Sequence, residues 1–214
     1  MKEGGPSATA LRVAMRRAAH QVLDDPRVFD DPLALRIVGA EDVPEPRPDP
    51  AWAERSSPAR GLRAFLAARC RYAEDELRVA VGRGTRQYVV LGAGLDTFAC
   101  RNPYPADVLR VFEVDHPATQ SWKRARLEDA GIAIPGTLTF APVDLERVTL
   151  EEGLRAGEPF VTFFDPSSLE RTLGDFGFGG VVHMGHAEIN ARYFEGRADA
   201  LRVGSLADLV SARV

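Results

Sequence analysis

An apolar strand that runs straight into Gly-x-Gly constrains this chain more than any other feature. Residues Gln87-Tyr88-Val89-Val90-Leu91-Gly92-Ala93-Gly94-Leu95-Asp96-Thr97 read as a parallel strand followed by a tight turn. This is how an open α/β sheet brings its backbone against a nucleotide-like ligand. A dinucleotide fingerprint needs a third small residue three positions after the second glycine, where strand and helix pack closely. Here that position is Thr97. The motif therefore argues against NAD, and an NAD-dependent oxidoreductase is kept only as a distant alternative.

Two further apolar segments end in acids. Leu109-Arg110-Val111-Phe112-Glu113-Val114-Asp115 places a carboxylate about 20 residues beyond the glycine turn, the spacing at which a second parallel strand reaches a ribose. A ribose diol offers two donors and an ionised carboxylate only accepts, so Asp115 and a ribose are complementary. Leu138-Thr139-Phe140-Ala141-Pro142-Val143-Asp144-Leu145 repeats the pattern with Asp144 at its carboxyl end. Glycine turn, ribose acid and third-strand acid together point to an adenosine held without a pyrophosphate.

With these motifs in view, the chain resembles the S-adenosylmethionine-dependent methyltransferases related to leucine carboxyl methyltransferase, in their bacterial O-methyltransferase branch. The resemblance is carried by Ala68-Arg69-Cys70-Arg71-Tyr72, Leu91 to Thr97, Phe112-Glu113-Val114-Asp115-His116-Pro117, Pro142-Val143-Asp144-Leu145 and Glu188-Ile189-Asn190-Ala191-Arg192-Tyr193-Phe194, in that order. It implies a Rossmann-like α/β fold with a helical N-terminal cap and S-adenosyl-L-methionine as cofactor. It also implies methyl transfer to a carboxylate or other oxygen of a small-molecule or peptide-terminal acid. By the same resemblance Arg69 binds the cofactor's carboxylate, Gly92 and Gly94 admit backbone contact, and Asp115 accepts from the ribose. Asp144 accepts from the adenine amino group, and Leu145 lies beside the ring. No catalytic side chain is implied, because a carboxylate acceptor is already ionised at neutral pH.

The chain departs from the family in one place. Leu154-Arg155-Ala156-Gly157 runs directly into Glu158-Pro159-Phe160-Val161, so the family's fourth and fifth strands are expected to be missing, with the join near Gly157. This leaves a second reading open: a catalytically degenerate remnant that binds an adenosine-like ligand or a partner without turnover. Loss of those strands would also expose a sheet edge, a route to self-association.

Composition limits the remaining classes. A chain of 214 residues with net charge −4 suits one domain and carries no basic footprint for nucleic acid. Two cysteines, Cys70 and Cys100, make neither a disulfide framework nor a metal knuckle. No apolar run reaches the ~18 residues of a membrane span, and the expected location is the cytoplasm. We expect residues 1–72 to form the cap and 73–214 the core, within one structural domain. Helices are expected over Thr9–Leu23, Leu33–Val38, Ser57–Tyr72 and Ala73–Val81, and the prolines at 44, 46, 48 and 50 read as an extended loop. Tyr88–Leu91 reads as a strand buried on both faces. Val181-Val182 and Leu209-Val210 are candidates for the last strands. The pairs Asp24/Asp25 and Asp30/Asp31 precede prolines and read as helix caps rather than acid–base groups. His183 and His186 lack a third metal ligand, so no metal site is expected. Asp96 is expected to cap the helix after the glycine turn and His116 to shape the loop after Asp115, with a cofactor contact as the alternative for each.

Overall fold

A computed structural model describes residues 7–39, 58–144, 165–205 and 208–213. Leu145, the proline-rich stretch and the join near Gly157 lie outside the described residues. Within them the fold is mixed α/β. Three parallel strands, β1 (Gln87–Leu91), β2 (Arg110–Asp115) and β3 (Leu138–Pro142), pair in that order. Val89 sits opposite Phe112, and Phe112 opposite Thr139. A second sheet pairs β4 (Gly179–Met184) with β5 (Leu209–Arg213), antiparallel. This is a Rossmann-like core, with three parallel strands among the described residues and N-terminal helices against it.

Helix α1 (Ala8–Leu23) begins where the Ser7 hydroxyl accepts the Ala10 amide at 3.2 Å, an N-cap that satisfies one orphan donor. Its buried positions include Ala14 and Ala18, small residues that let the helix lie close to the glycine turn. They join Ile37 and Val38 of α2 (Ala34–Val38), Leu95 and Leu127 in one cluster. The two helices expected on either side of Tyr72 are a single one, α3 (Pro58–Gly82). No glycine or proline interrupts residues 62–81, so nothing in the sequence stops it there.

Helix α3 carries both sheets. Its first half packs Ala64, Ala67, Ala68 and Tyr72 against Met184, Ile189 and Leu209 of the second sheet's layer. Further along, Leu77 packs with Phe98, Leu109, Val111 and Leu138 beneath the parallel sheet. The Tyr72 hydroxyl also donates to Ser211 Oγ of β5 at 2.8 Å. Helix α4 (Pro117–Asp129) follows β2, α5 (Pro166–Asp175) precedes β4, and α6 (His186–Tyr193) follows it. Asp165 caps α5 by accepting the Ser168 amide at 3.0 Å.

Two expectations need correction. Strand β1 is not buried on both faces: Val89 is 51% and Leu91 59% exposed. Among the described strands it pairs only with β2, so one of its hydrogen-bonding edges has no partner there. Asp24 does not cap the segment after it. It ends α1, and Arg63 on α3 binds its carboxylate through two nitrogens, each at 2.9 Å, while His20 Nδ1 lies 2.7 Å from Oδ2. His20 Nε2 accepts the amides of Val28 and Phe29, which leaves Nδ1 as the donor to Asp24. Burial would push the Asp24 carboxyl up, but hydrogen bonds from His20 and Arg63, with the charge of Arg63, outweigh it and bring its pKa down to about 2.

Candidate functional site

The carboxyl ends of the three parallel strands open onto a cavity of about 510 Å³, within the range of small-molecule sites. Helix α1 forms one wall with Ala10, Val13 and Arg17, and α3 another with Arg69, Cys70 and Glu74. The glycine turn, Asp115, His116 and Asp144 form the floor. Five of the six residues expected to bind cofactor, Arg69, Gly92, Gly94, Asp115 and Asp144, therefore meet in one place. Leu145 lies outside the described residues.

The turn needs both its glycines, for different reasons. Gly92 has φ +64, and a Cβ built on it would meet nothing within 4 Å. Its backbone is thus exposed toward open space, where a ligand can approach. Gly94 has φ +50, and its Cβ would lie 2.9 Å from that of Ala10, so this glycine is where α1 comes down on the turn. Both conformations are left-handed, which L side chains adopt only with strain.

Asp115 holds the turn as well as facing the cavity. Its Oδ2 accepts the Gly94 amide at 2.6 Å and its Oδ1 the His116 amide at 2.7 Å. A carboxylate has about four acceptor positions, so roughly two are left for a ligand's hydroxyls. The Asp115 carbonyl accepts the Val143 amide at 2.9 Å, which ties the end of β3 to the end of β2 and brings Asp144 alongside. His116 Nε2 is 3.8 Å from Asp144 Oδ2, while His116 Nδ1 accepts the Ala118 amide and caps α4. His116 therefore shapes the loop and also lines the cavity. Asp96 accepts the Phe98 amide at 2.7 Å just before a short 3₁₀ helix, Phe98–Arg101, whose N-cap is Thr97, and it also lines the cavity.

Arg69 makes no hydrogen bond or ion pair with any described residue, so its charge is available to an anion in the cavity. Tyr88 and Cys70 also line the cavity. Burial pushes the Tyr88 phenol up to about 12 and raises the Cys70 thiol, so both stay protonated at neutral pH and neither is a base or a nucleophile. Among the described residues no group of three metal-ligating side chains occurs; His183 lies in β4 and His186 opens α6.

Sequence reasoning missed the residues that brace the turn from behind: Arg17, Asp31, Thr97, Arg101 and Glu74. One signal was present. Arg17 falls at i+3 from Ala14 and beside Ala18 on the buried face of α1, and an arginine in that phase needs an interior partner.

A sequence profile of the family described as "Leucine carboxyl methyltransferase" matches residues 10–164. The chain belongs to that family. It is 34% identical over 191 residues to the "Putative S-adenosyl-L-methionine-dependent methyltransferase YktD" of Bacillus subtilis (strain 168), covering 78% of this chain and 63% of that protein. Similarly described methyltransferases from Parafrankia sp. (strain EAN1pec) and Mycobacteroides abscessus are each 36% identical. The first match covers 80% of this chain and 58% of the relative, the second 71% and 51%. The family member described here thus spans between half and two thirds of the length of the curated relatives it matches. No helix among the described residues is long and apolar enough to cross a membrane.

The cavity fits the family's cofactor on its own chemistry. An acceptor-only carboxylate with spare positions suits a diol, a glycine with nothing above it suits close backbone approach, and an unpaired guanidinium suits a carboxylate.

Proposed function

We propose that this chain binds S-adenosylmethionine in the cavity at the strand ends and belongs to a methyltransferase acting on an oxygen, with a carboxylate as acceptor. The single observation that carries this reading is that Arg69, Gly92, Gly94, Asp115 and Asp144 line one cavity. Asp115 accepts from the ribose hydroxyls, and Asp144 from the adenine amino group, with Leu145 beside the ring. Arg69 pairs with the methionine carboxylate, and Gly92 lets backbone approach the same portion. The bound cofactor supplies an activated methyl group on a sulfonium. The protein's part is to fix that group in line with an acceptor oxygen, and orientation of this kind can contribute roughly 7–11 kcal/mol. A carboxylate acceptor arrives ionised, consistent with the protonated state of Tyr88 and Cys70, so we assign no catalytic base.

Calorimetric titration tests the reading. S-adenosylmethionine and S-adenosylhomocysteine are expected to bind at least tenfold more tightly than NAD, about 1.4 kcal/mol. Tighter NAD binding would overturn it.

The exposure of Val89 and Leu91 supports a second reading, a binding remnant that self-associates through β1. An apolar strand with an unpaired edge is a template for another chain. Size-exclusion chromatography run beside a cofactor-turnover assay with candidate acids separates the two. Oligomers with little turnover are expected. A monomer turning over at an ordinary rate, on the order of 1 per second or faster, would refute this second reading.

A further inference from the structure

The glycine turn is held from the ligand side by Asp115 and from behind by a buried carboxylate on the N-terminal cap. Asp31 is 1% exposed. Its Oδ2 accepts the Thr97 hydroxyl at 2.6 Å and lies 2.8 Å from Arg17 Nε. That second approach is a close ionic contact without hydrogen-bond alignment, since Arg17 Nε has no aligned acceptor. Asp31 Oδ1 accepts the Leu33 amide at 3.1 Å and lies 3.5 Å from Arg101 Nε, and Arg101 is paired in turn with Glu74. The four side-chain charges sum to zero, as a buried cluster requires.

Arg17 then reaches forward. Its Nη2 donates to the Leu95 carbonyl at 2.6 Å, while the Asp96 amide of the same peptide unit donates to the Ala93 carbonyl at 2.8 Å. The Leu95–Asp96 peptide plane is therefore pinned at both ends. On its other side the turn is pinned by Asp115 through the Gly94 amide at 2.6 Å. Thr97, the residue that breaks the dinucleotide fingerprint, is fully buried, and its hydroxyl belongs to Asp31.

We propose that Asp31 is a positioning residue for the cofactor site, fixing the glycine turn in its ligand-ready shape through Arg17 and Thr97. The proposal rests on the cofactor reading above. Asp31 does not line the cavity; it acts only through residues that do, or that adjoin them. A turn free to sample other peptide orientations would bind with an affinity reduced by the fraction that remains competent.

Asp24 provides a matched control. It too is a buried cap carboxylate with an arginine partner, but its own hydrogen-bond partners, His20 on α1 and Arg63 on α3, do not line the cavity. Asp31→Asn is expected to weaken S-adenosylhomocysteine binding about tenfold and to speed amide hydrogen exchange at residues 94–97 in the ligand-free chain. Asp24→Asn should lower the melting temperature, leave the Kd within about twofold and leave exchange at the turn unaltered. Thr97→Val, which removes the hydroxyl that donates to Asp31 and accepts from Arg101 Nε at 3.3 Å, should reproduce the Asp31→Asn pattern, and Thr97→Ser should keep the unaltered behaviour. Equal effects of Asp31→Asn and Asp24→Asn on Kd and exchange would overturn the proposal, as would unaltered exchange in both Asp31→Asn and Thr97→Val. If the unaltered chain does not bind S-adenosylhomocysteine, the cofactor reading fails, while exchange at 94–97 still decides whether Asp31 holds the turn.

Discussion

Asp115 carries two loads, and replacing it should expose both. Its two oxygens already accept the amides of Gly94 and His116, at 2.6 and 2.7 Å, and in the proposed complex they also accept from the ribose. Asp115→Ala removes the ligand contact and leaves the half-enclosed Gly94 amide without its acceptor. Hydrogen bonds to a charged group contribute about 1.5–3 kcal/mol each. Some of the loss is returned by water at this partly open site, so we expect S-adenosylhomocysteine affinity to fall by about 1–3 kcal/mol, or roughly 5- to 150-fold. That loss alone would not separate direct contact from a disturbed turn. The separation comes from changing the ligand as well: adenosine and 2′-deoxyadenosine are titrated into the unaltered chain and into the variant. If Asp115 touches the diol, the deoxy compound binds more weakly to the unaltered chain and that difference disappears in the variant, a coupling read as in a double-mutant cycle. A folded Asp115→Ala chain of unchanged affinity, or one that still discriminates the two nucleosides as before, would refute the assignment.

The two glycines should fail differently. Gly94→Ala combines a left-handed φ with a Cβ placed 2.9 Å from Ala10, so it should destabilise the fold by more than the ~1–2 kcal/mol of the backbone strain alone, measured by urea unfolding. Gly92→Ala carries the same kind of strain without a collision; it should cost stability only about 1–2 kcal/mol while adding a methyl where ligand approaches, and equal losses of stability in the two variants would contradict the packing described. For pH, Asp24 has a folded pKa of about 2 against its ordinary 3.8. Its contribution of about 2 kcal/mol is present above the ordinary value and is lost as pH falls through about 2. The stability gap between the unaltered chain and Asp24→Asn should therefore shrink between these values, and a gap independent of pH there would refute the ion-pair account.

Most of the parallel sheet and its cavity-facing residues were legible because they depend on local chemistry. A run of β-branched and apolar residues ending in Gly-x-Gly, or in an acid, states both the strand and what stands at its carboxyl end. Gly92, Gly94, Asp115 and Asp144 reached one cavity because parallel strands deliver their carboxyl ends to the same rim, and Arg69 joins them from α3. What was not legible depends on partners distant in sequence. Asp24 and Asp31 share one local pattern, a carboxylate ahead of Asp/Pro or Pro, yet Asp24 is claimed by Arg63 and Asp31 by Arg17 and Thr97. Helix α3 runs through Tyr72 because no glycine or proline stops it, and tertiary contacts on both halves hold it. The exposure of Val89 and Leu91 was hidden for the same reason: an apolar strand reads alike whether or not its second face is covered.

The distribution of the cavity wall separates binding from turnover. Every described residue lining it lies between Ser7 and Asp144, on α1, on α3 or at the ends of β1 to β3. Of the two exposed apolar side chains of β1, Leu91 lines the cavity and Val89 does not. The groups proposed to hold the cofactor thus come from α3 and the carboxyl ends of β1 to β3. An acceptor needs a further wall opposite the activated methyl, and alignment there is what sets the rate. The expected outcome is therefore asymmetric: measurable affinity for S-adenosylhomocysteine together with little methyl transfer. Turnover at an ordinary rate would show that β1 is covered in solution, and a chain that folds but binds no nucleoside would show that the turn and its acids need that cover to hold their shape.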